Sequence, residues 1–252
     1  MFSFPLFKQT VKSNWVIWTA MTAVMTVLCV QFSAMEMTQS LLFTIFYGMM
    51  TTILPGIYIL VTSNKLLASQ VDRGSMAYVL STPIKRSTVA FTQIVFMVLS
   101  LVLMFAIQTT AHIIVNEISP LSLETLAYFQ LTGELTGTMI LQVNLSALMV
   151  CIAVAGVCFL FSGIFNTSKY SIGCSGVFVG ESILANMLAM FGSLGVDGLD
   201  NFKYITICSF YDYESVLLGN DDWMVKLIFP IAIAIVTFAA GGIWFKKKDL
   251  PL

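Results

Sequence analysis

Six long runs of apolar residues divide the chain, at 15–32, 41–62, 89–107, 139–165, 170–194 and 225–245. Each is continuous rather than alternating, and each is close to the ~20 residues that carry an α-helix across the hydrocarbon of a bilayer. Membrane strands would instead read as alternating segments of about ten residues. The pattern therefore predicts an all-α, polytopic membrane protein, one transmembrane domain over 1–252 with six transmembrane helices. Ahead of the first run, Phe4, Phe7 and Val11 recur at helical spacing with Lys8 and Lys12 off that stripe. This predicts a short interfacial helix over 1–14 that leads into the bilayer at Trp15 and Trp18.

Several spans carry residues that a plain anchor would not need. Pro55-Gly56 and Pro230 invite kinks in the second and sixth. Gly173, Gly176 and Gly180 mark the fifth as a close-packing helix, the last two as a small-xxx-small pair. Gln142 and Asn144 sit near the outer end of the fourth. Glu181 lies inside the fifth, where an unpaired charge costs about 2.5–3.5 kcal/mol or more. Together these three are candidates for a transport path, although a protonated Glu181 bonded to a neighbouring helix would read the same.

Composition agrees with the pattern. Hydrophobic residues are 58%, charged residues 10%, and mean hydropathy is +0.91, against roughly a quarter charged in a soluble domain. The net charge of -1 says little as a sum, and nothing along the chain resembles a cationic nucleic-acid face, so that partner class is not expected. The charges are unevenly placed. With the N-terminus inside, Lys8, Lys12, Lys65, Arg73, Lys85, Arg86, Lys169, Lys246, Lys247 and Lys248 are cytoplasmic and only Lys203 and Lys226 lie outside. The positive-inside rule thus predicts both termini in the cytoplasm of a cell-membrane protein. The acidic residues Glu36, Glu117, Glu124, Glu134, Asp197, Asp200, Asp212, Glu214, Asp221 and Asp222 fall outside. Outer segments 108–138 and 195–224 are long, and the second is rich in aromatics suited to the outer leaflet. The inner loop at 166–169 is a tight turn. Cys29, Cys151, Cys158, Cys174 and Cys208 show no metal spacing and read as small packing residues. The first run is too long for a cleavable signal peptide and lacks its cleavage site.

The inner loop 63–87 concentrates Lys65, Arg73, Lys85 and Arg86. Within it Asp72 suits a helix N-cap. Met76, Val79, Leu80 and Pro83 follow at i, i+3, i+4 and i+7, one apolar stripe on a short helix that Pro83 ends. A short amphipathic helix on a basic loop suits lipid or a partner's groove.

The run from Asp72-Arg73-Gly74-Ser75-Met76 through Tyr78-Val79-Leu80-Ser81-Thr82-Pro83-Ile84-Lys85-Arg86 resembles the inner loop of ABC transporter permeases of the ABC-2 export type. It departs in having Asp for the commoner Glu, Ser for Thr, and Gln93 where lysine is frequent. Phe202-Lys203-Tyr204-Ile205 through Ser209-Phe210-Tyr211-Asp212, with Leu217-Leu218-Gly219, resembles the outer segment that this family places before its last span. The resemblance implies a permease half that dimerises with a second copy or a paralogue. It also implies a coupling helix by which a separate ABC ATPase docks, through Asp72, Arg73, Gly74, Met76, Val79, Leu80, Pro83, Lys85 and Arg86, with a weaker touch point at 166–169. The chain contains no GxxxxGK[ST] phosphate loop, so ATP and Mg belong to that partner and no cofactor or metal is expected here. The cargo implied is an amphipathic peptide, antibiotic or lipid-like molecule, moved outward. Two other classes remain: a passive channel or structural membrane subunit without an ATPase, and a membrane enzyme. The last lacks converging catalytic groups, since the spans offer Glu181 alone and the one histidine, His112, lies at the outer end of the third.

Overall fold

A computed structural model of the chain describes residues 2–81, 84–123, 133–193 and 198–249. Among them there is no strand, only a single bridge between Ser122 and Glu134, and six helices are long and apolar enough to cross a membrane. In hydrocarbon every backbone amide and carbonyl must be satisfied within the segment, which leaves long helices as the outcome for such runs. The helices are α1 (Phe4–Ala34), α2 (Glu36–Gln39), a π-helix (Leu42–Met50), α3 (Thr51–Leu66), α4 (Ala68–Asp72), α5 (Ser75–Leu80), α6 (Arg86–Ile118), α7 (Gly137–Ile164), α8 (Ser168–Ser193), α9 (Tyr213–Leu217) and α10 (Asp222–Lys247). Two 3-10 helices, Leu199–Tyr204 and Ile207–Phe210, precede α9.

The apolar helix α7 is the centre, touching α3, α6, α8 and α10, while α1 lies against α6 and α3. The tightest seam is α7 on α10. A Cβ on Gly163 would lie 2.6 Å from the Gly241 carbonyl oxygen, and one on Gly241 would lie 3.0 Å from the Leu160 Cα. Glycine is what lets these two backbones meet. Gly173 and Gly180 have no neighbour within 4 Å of that position, and Gly176 has only a Leu60 methyl at 4.0 Å. Among the described residues, Gly173 and Gly180 therefore make no close helix contact and Gly176 only an ordinary one to α3, and the tight glycine pair is elsewhere. Gly56 is a contact point too, its Cβ position 3.3 Å from Val179 of α8.

Three boundaries differ from expectation. The segment 1–14 is not a separate helix, because α1 runs without a break through Trp15. Its 31 residues reach about 46 Å, more than the ~30 Å of hydrocarbon. Phe4 and Val11 face outward, and the inward row is Leu6, Thr10 and Asn14. The third span continues beyond 107 to Ile118. Gln108, His112 and Asn116 lower its hydropathy, yet all three are buried on one face at i, i+4 and i+8, so the helix persists. The second span opens as a π-helix and runs through Pro55 to Leu66.

Candidate functional site

The ends of α3, α6, α7, α8 and α10 meet at one end of the bundle, beside the start of α1. Ten of the twelve Lys and Arg lie at or near this end, the exceptions being Lys203 and Lys226. Its central device is the α3–α4–α5 segment. The helix breaks at Leu67, and the freed amide of Ala68 donates to Ser162 Oγ of α7 at 3.0 Å. Asn64 Nδ2 donates to Ser168 Oγ at 2.7 Å. The Asp72 carboxylate accepts from the Ser168 amide at 3.1 Å, at the N-terminus of α8 where negative charge is favoured. Asp72 was expected to cap α5 and instead serves α8. The N-cap of α5 is Gly74, at φ 70, a left-handed conformation that glycine adopts without a Cβ penalty.

The apolar stripe of α5 faces inward. Met76 is 0% exposed and belongs to the chain's own core, against which Val79 and Leu80 also pack. These three were expected to enter a partner's cleft. Burial overrules that for Met76, whose side chain anchors α5 to the bundle. The exposed side of the α4–α5 segment carries Asp72, Arg73, Ser75 and Ser81, with Tyr78 82% exposed. Lys85 is exposed as well. Arg86 is engaged within the chain, donating from Nη1 to the Lys248 carbonyl at 2.9 Å. Pro83 lies outside the described residues.

The C-terminal end of α10 joins the same structure. Lys248 Nζ donates to the Phe165 carbonyl at 2.9 Å, and Asn166 Nδ2 to the Asp249 carbonyl at 3.2 Å. Burial, with the Arg86 charge beside it, lowers the Lys248 ammonium to a pKa of about 8.

The three transport-path candidates do not converge. Asn144 is buried in the core, donating to the Tyr47 hydroxyl at 3.0 Å and to the Ile140 carbonyl at 2.8 Å. Gln142, two residues earlier, points about 200° away and is half-buried. Glu181 is exposed on the outer face of α8, which also carries Gly173, Val177 and Leu184.

Asn144 belongs to a polar cluster that the sequence reading missed. The Tyr47 hydroxyl, on the π-helix, lies 2.6 Å from His112 Nδ1, and Gln108 Nε2 donates to Cys29 Sγ at 3.1 Å. Tyr47, Gln108 and His112 are 0% exposed. The four-residue spacing of Gln108, His112 and Asn116 was the available signal. Asn116 ties α6 to the following loop, donating to the Leu135 carbonyl at 2.7 Å and accepting from the Leu121 amide at 3.3 Å.

The opposite end is capped by the segment before α10. Thr206 Oγ1 donates to the Ser182 carbonyl at 3.0 Å, and Cys208 and Tyr211 are buried. Burial pushes the Cys208 thiol up to about 11, a hydrogen bond with Thr206 opposes this, and the nearby Glu181 charge adds to it. Asp212 pairs with Lys226 and caps α9 through Ser215. Burial alone would raise its carboxyl, but hydrogen bonds from Lys226 and Ser215 outweigh burial and hold it below its ordinary value.

No protein-family profile and no curated protein matches this chain.

Proposed function

We propose that the chain is the permease half of an ATP-driven exporter of the ABC-2 type, working with a separate ABC ATPase that binds ATP and Mg. The observation that carries this reading is the α4–α5 segment. It presents Tyr78, Arg73 and Ser75 outward while its base is bonded to α7 and α8 and continuous with α3. A push on α5 would thus reach three spans at once, as coupling between a motor and packed helices requires. Docking is through Asp72, Arg73, Tyr78 and Lys85, whereas Met76, Val79 and Leu80 fix the helix from beneath. On this reading the cation-rich end and both termini are cytoplasmic, in keeping with the positive-inside rule. The outer face of α8, with Gly173, Val177 and Leu184, meets a second permease copy or paralogue, and Glu181 on that same face borders the path between the halves. The cargo is an amphipathic peptide, antibiotic or lipid-like molecule.

The test is coexpression with a candidate ATP-binding-cassette subunit, for which a gene adjoining this one is the first place to look. Tyr78→Asp with Lys85→Glu releases the ATPase during purification while leaving a helical, monodisperse permease. Retention of the ATPase by that variant would overturn the docking assignment. ATPase stimulation by amphipathic peptides, drugs or lipids in the reconstituted complex then reads the cargo class.

A further inference from the structure

A polar cavity of about 330 Å³ opens between the first turns of α1 and the α3–α4–α5 segment. Lys65 and Arg73 line it together with Gln9, Ser13, Asn14 and Ser69, and no carboxylate does so among the described residues. Asn14 is 2% exposed. Its Nδ2 donates to the Thr10 carbonyl at 3.0 Å, while its Oδ1 is buried with no hydrogen-bond partner among the described residues. A buried acceptor of this kind calls for a donor. The cavity therefore offers two cations for an anion and one acceptor for a hydroxyl or ammonium hydrogen.

Asn14 also borders a second cavity, an apolar groove of about 220 Å³ along the α1–α6 seam, lined by Phe7, Val11, Trp15, Trp18, Phe96 and Leu103. The same helix turn thus adjoins a cationic chamber at the end of the spans and an apolar trough alongside them. We propose that the two hold one anionic glycerophospholipid. Its phosphate meets Lys65 and Arg73, a headgroup hydroxyl donates to Asn14 Oδ1, and an acyl chain lies against Trp15 and Trp18. Charge selects the anionic headgroup, and the neighbouring groove selects a lipid over a soluble phosphate. The site needs no ATPase, and because it shares Arg73 with the proposed docking face it is tested on the permease alone.

The groove's tryptophans provide the readout. In the full-length chain with Trp223→Phe and Trp244→Phe, only Trp15 and Trp18 of the four tryptophans remain. Reconstituted in phosphatidylcholine, it is titrated with phosphatidylglycerol or phosphatidylcholine carrying brominated acyl chains, which quench indole fluorescence on contact. Brominated phosphatidylglycerol should quench at lower mole fraction than brominated phosphatidylcholine. Lys65→Gln and Arg73→Gln should each reduce that preference, by roughly fivefold per cation near a membrane surface. Lys65→Arg should keep it, which separates loss of charge from loss of fold. Phosphatidylmethanol, with the same charge and no headgroup hydroxyl, should bind more weakly than phosphatidylglycerol in the parent and equally in Asn14→Leu. Equal quenching by the two brominated lipids, or an unchanged preference in the double Gln variant, overturns the proposal. Abolition of the preference by millimolar glycerol 3-phosphate also overturns it, assigning the chamber to a soluble phosphate.

Discussion

The α7–α10 seam makes a graded prediction for three glycine-to-alanine substitutions. In Gly163→Ala the new Cβ would sit 2.6 Å from the Gly241 carbonyl oxygen and 3.2 Å from its Cα, all backbone atoms that cannot rotate away. Ordinary contact begins near 3.4 Å, so the helices must part by most of an ångström. A gap of 0.5–1 Å forfeits a quarter to a half of the dispersion at each contact it opens. The expected cost is about 1–3 kcal/mol, the usual range for overpacking. In Gly156→Ala the nearest atom is Thr237 Oγ1 at 2.2 Å, a side chain that can turn. Turning it gives up the bonds it donates to the Ile233 and Ala234 carbonyls, at 2.7 and 3.3 Å, for a cost near 1 kcal/mol. Gly173→Ala meets nothing within 4 Å among the described residues and gains up to about 1 kcal/mol of helix propensity. Reversible unfolding by SDS in mixed micelles, under conditions that keep the protein monomeric, measures all three. The order should be Gly163→Ala worst, Gly156→Ala intermediate and Gly173→Ala neutral or better. A Gly173→Ala loss as large as that of Gly163→Ala would refute the packing argument.

Three further outcomes follow from the two ends of the bundle. Asp72→Ala removes a charge-assisted cap from α8 and should speed amide exchange at Ser168 by roughly fivefold, the equivalent of ~1 kcal/mol for an exposed cap; unchanged exchange there would mean the link is not made. Lys248 titrates at about 8, so at pH 8 about half of it is neutral, and mass spectrometry should find it acylated faster than the exposed Lys246 and Lys247. Because its folded value is below the ~10.4 of an unfolded lysine, its contribution to stability rises as pH increases from about 8 towards that value. Asp212 shifts the other way: its folded value is lowered, so its contribution is complete above the ~3.9 of a free carboxyl and disappears as pH falls through the folded value. The emission of the buried Trp223 should shift red on acidification, and Lys226→Gln should move that shift to higher pH.

What could be read from the chain beforehand was set by length and repetition. Six apolar runs sufficed for six helices, because the bilayer leaves the backbone almost no alternative. Where they stopped was less legible: hydropathy falls at Gln108, His112 and Asn116, but a polar group that finds a partner inside the bundle does not end a helix. The stripe Met76, Val79 and Leu80 was visible as a helix face, yet periodicity gives a direction only relative to the helix itself. Whether that face met the bundle or a partner depended on where α3 broke, at a leucine with no sequence mark. Asp72 was similar, its short side chain suited to a cap while the capped helix lay 96 residues away. Glycines were counted by spacing along one helix, whereas Gly163 and Gly241 matter because two different helices bring them opposite each other.

The π-helix at Leu42–Met50 has a consequence for how the second span can move. Each of its i→i+5 turns holds one residue more than the ordinary winding needs. Tightening a single turn would advance the helix by one residue, swinging Tyr47 through about 100° and tearing its hydroxyl from both His112 and Asn144. Those two side chains, from α6 and α7, thus act as a ratchet pawl on the slack, and the second span can rewind only when its neighbours let go.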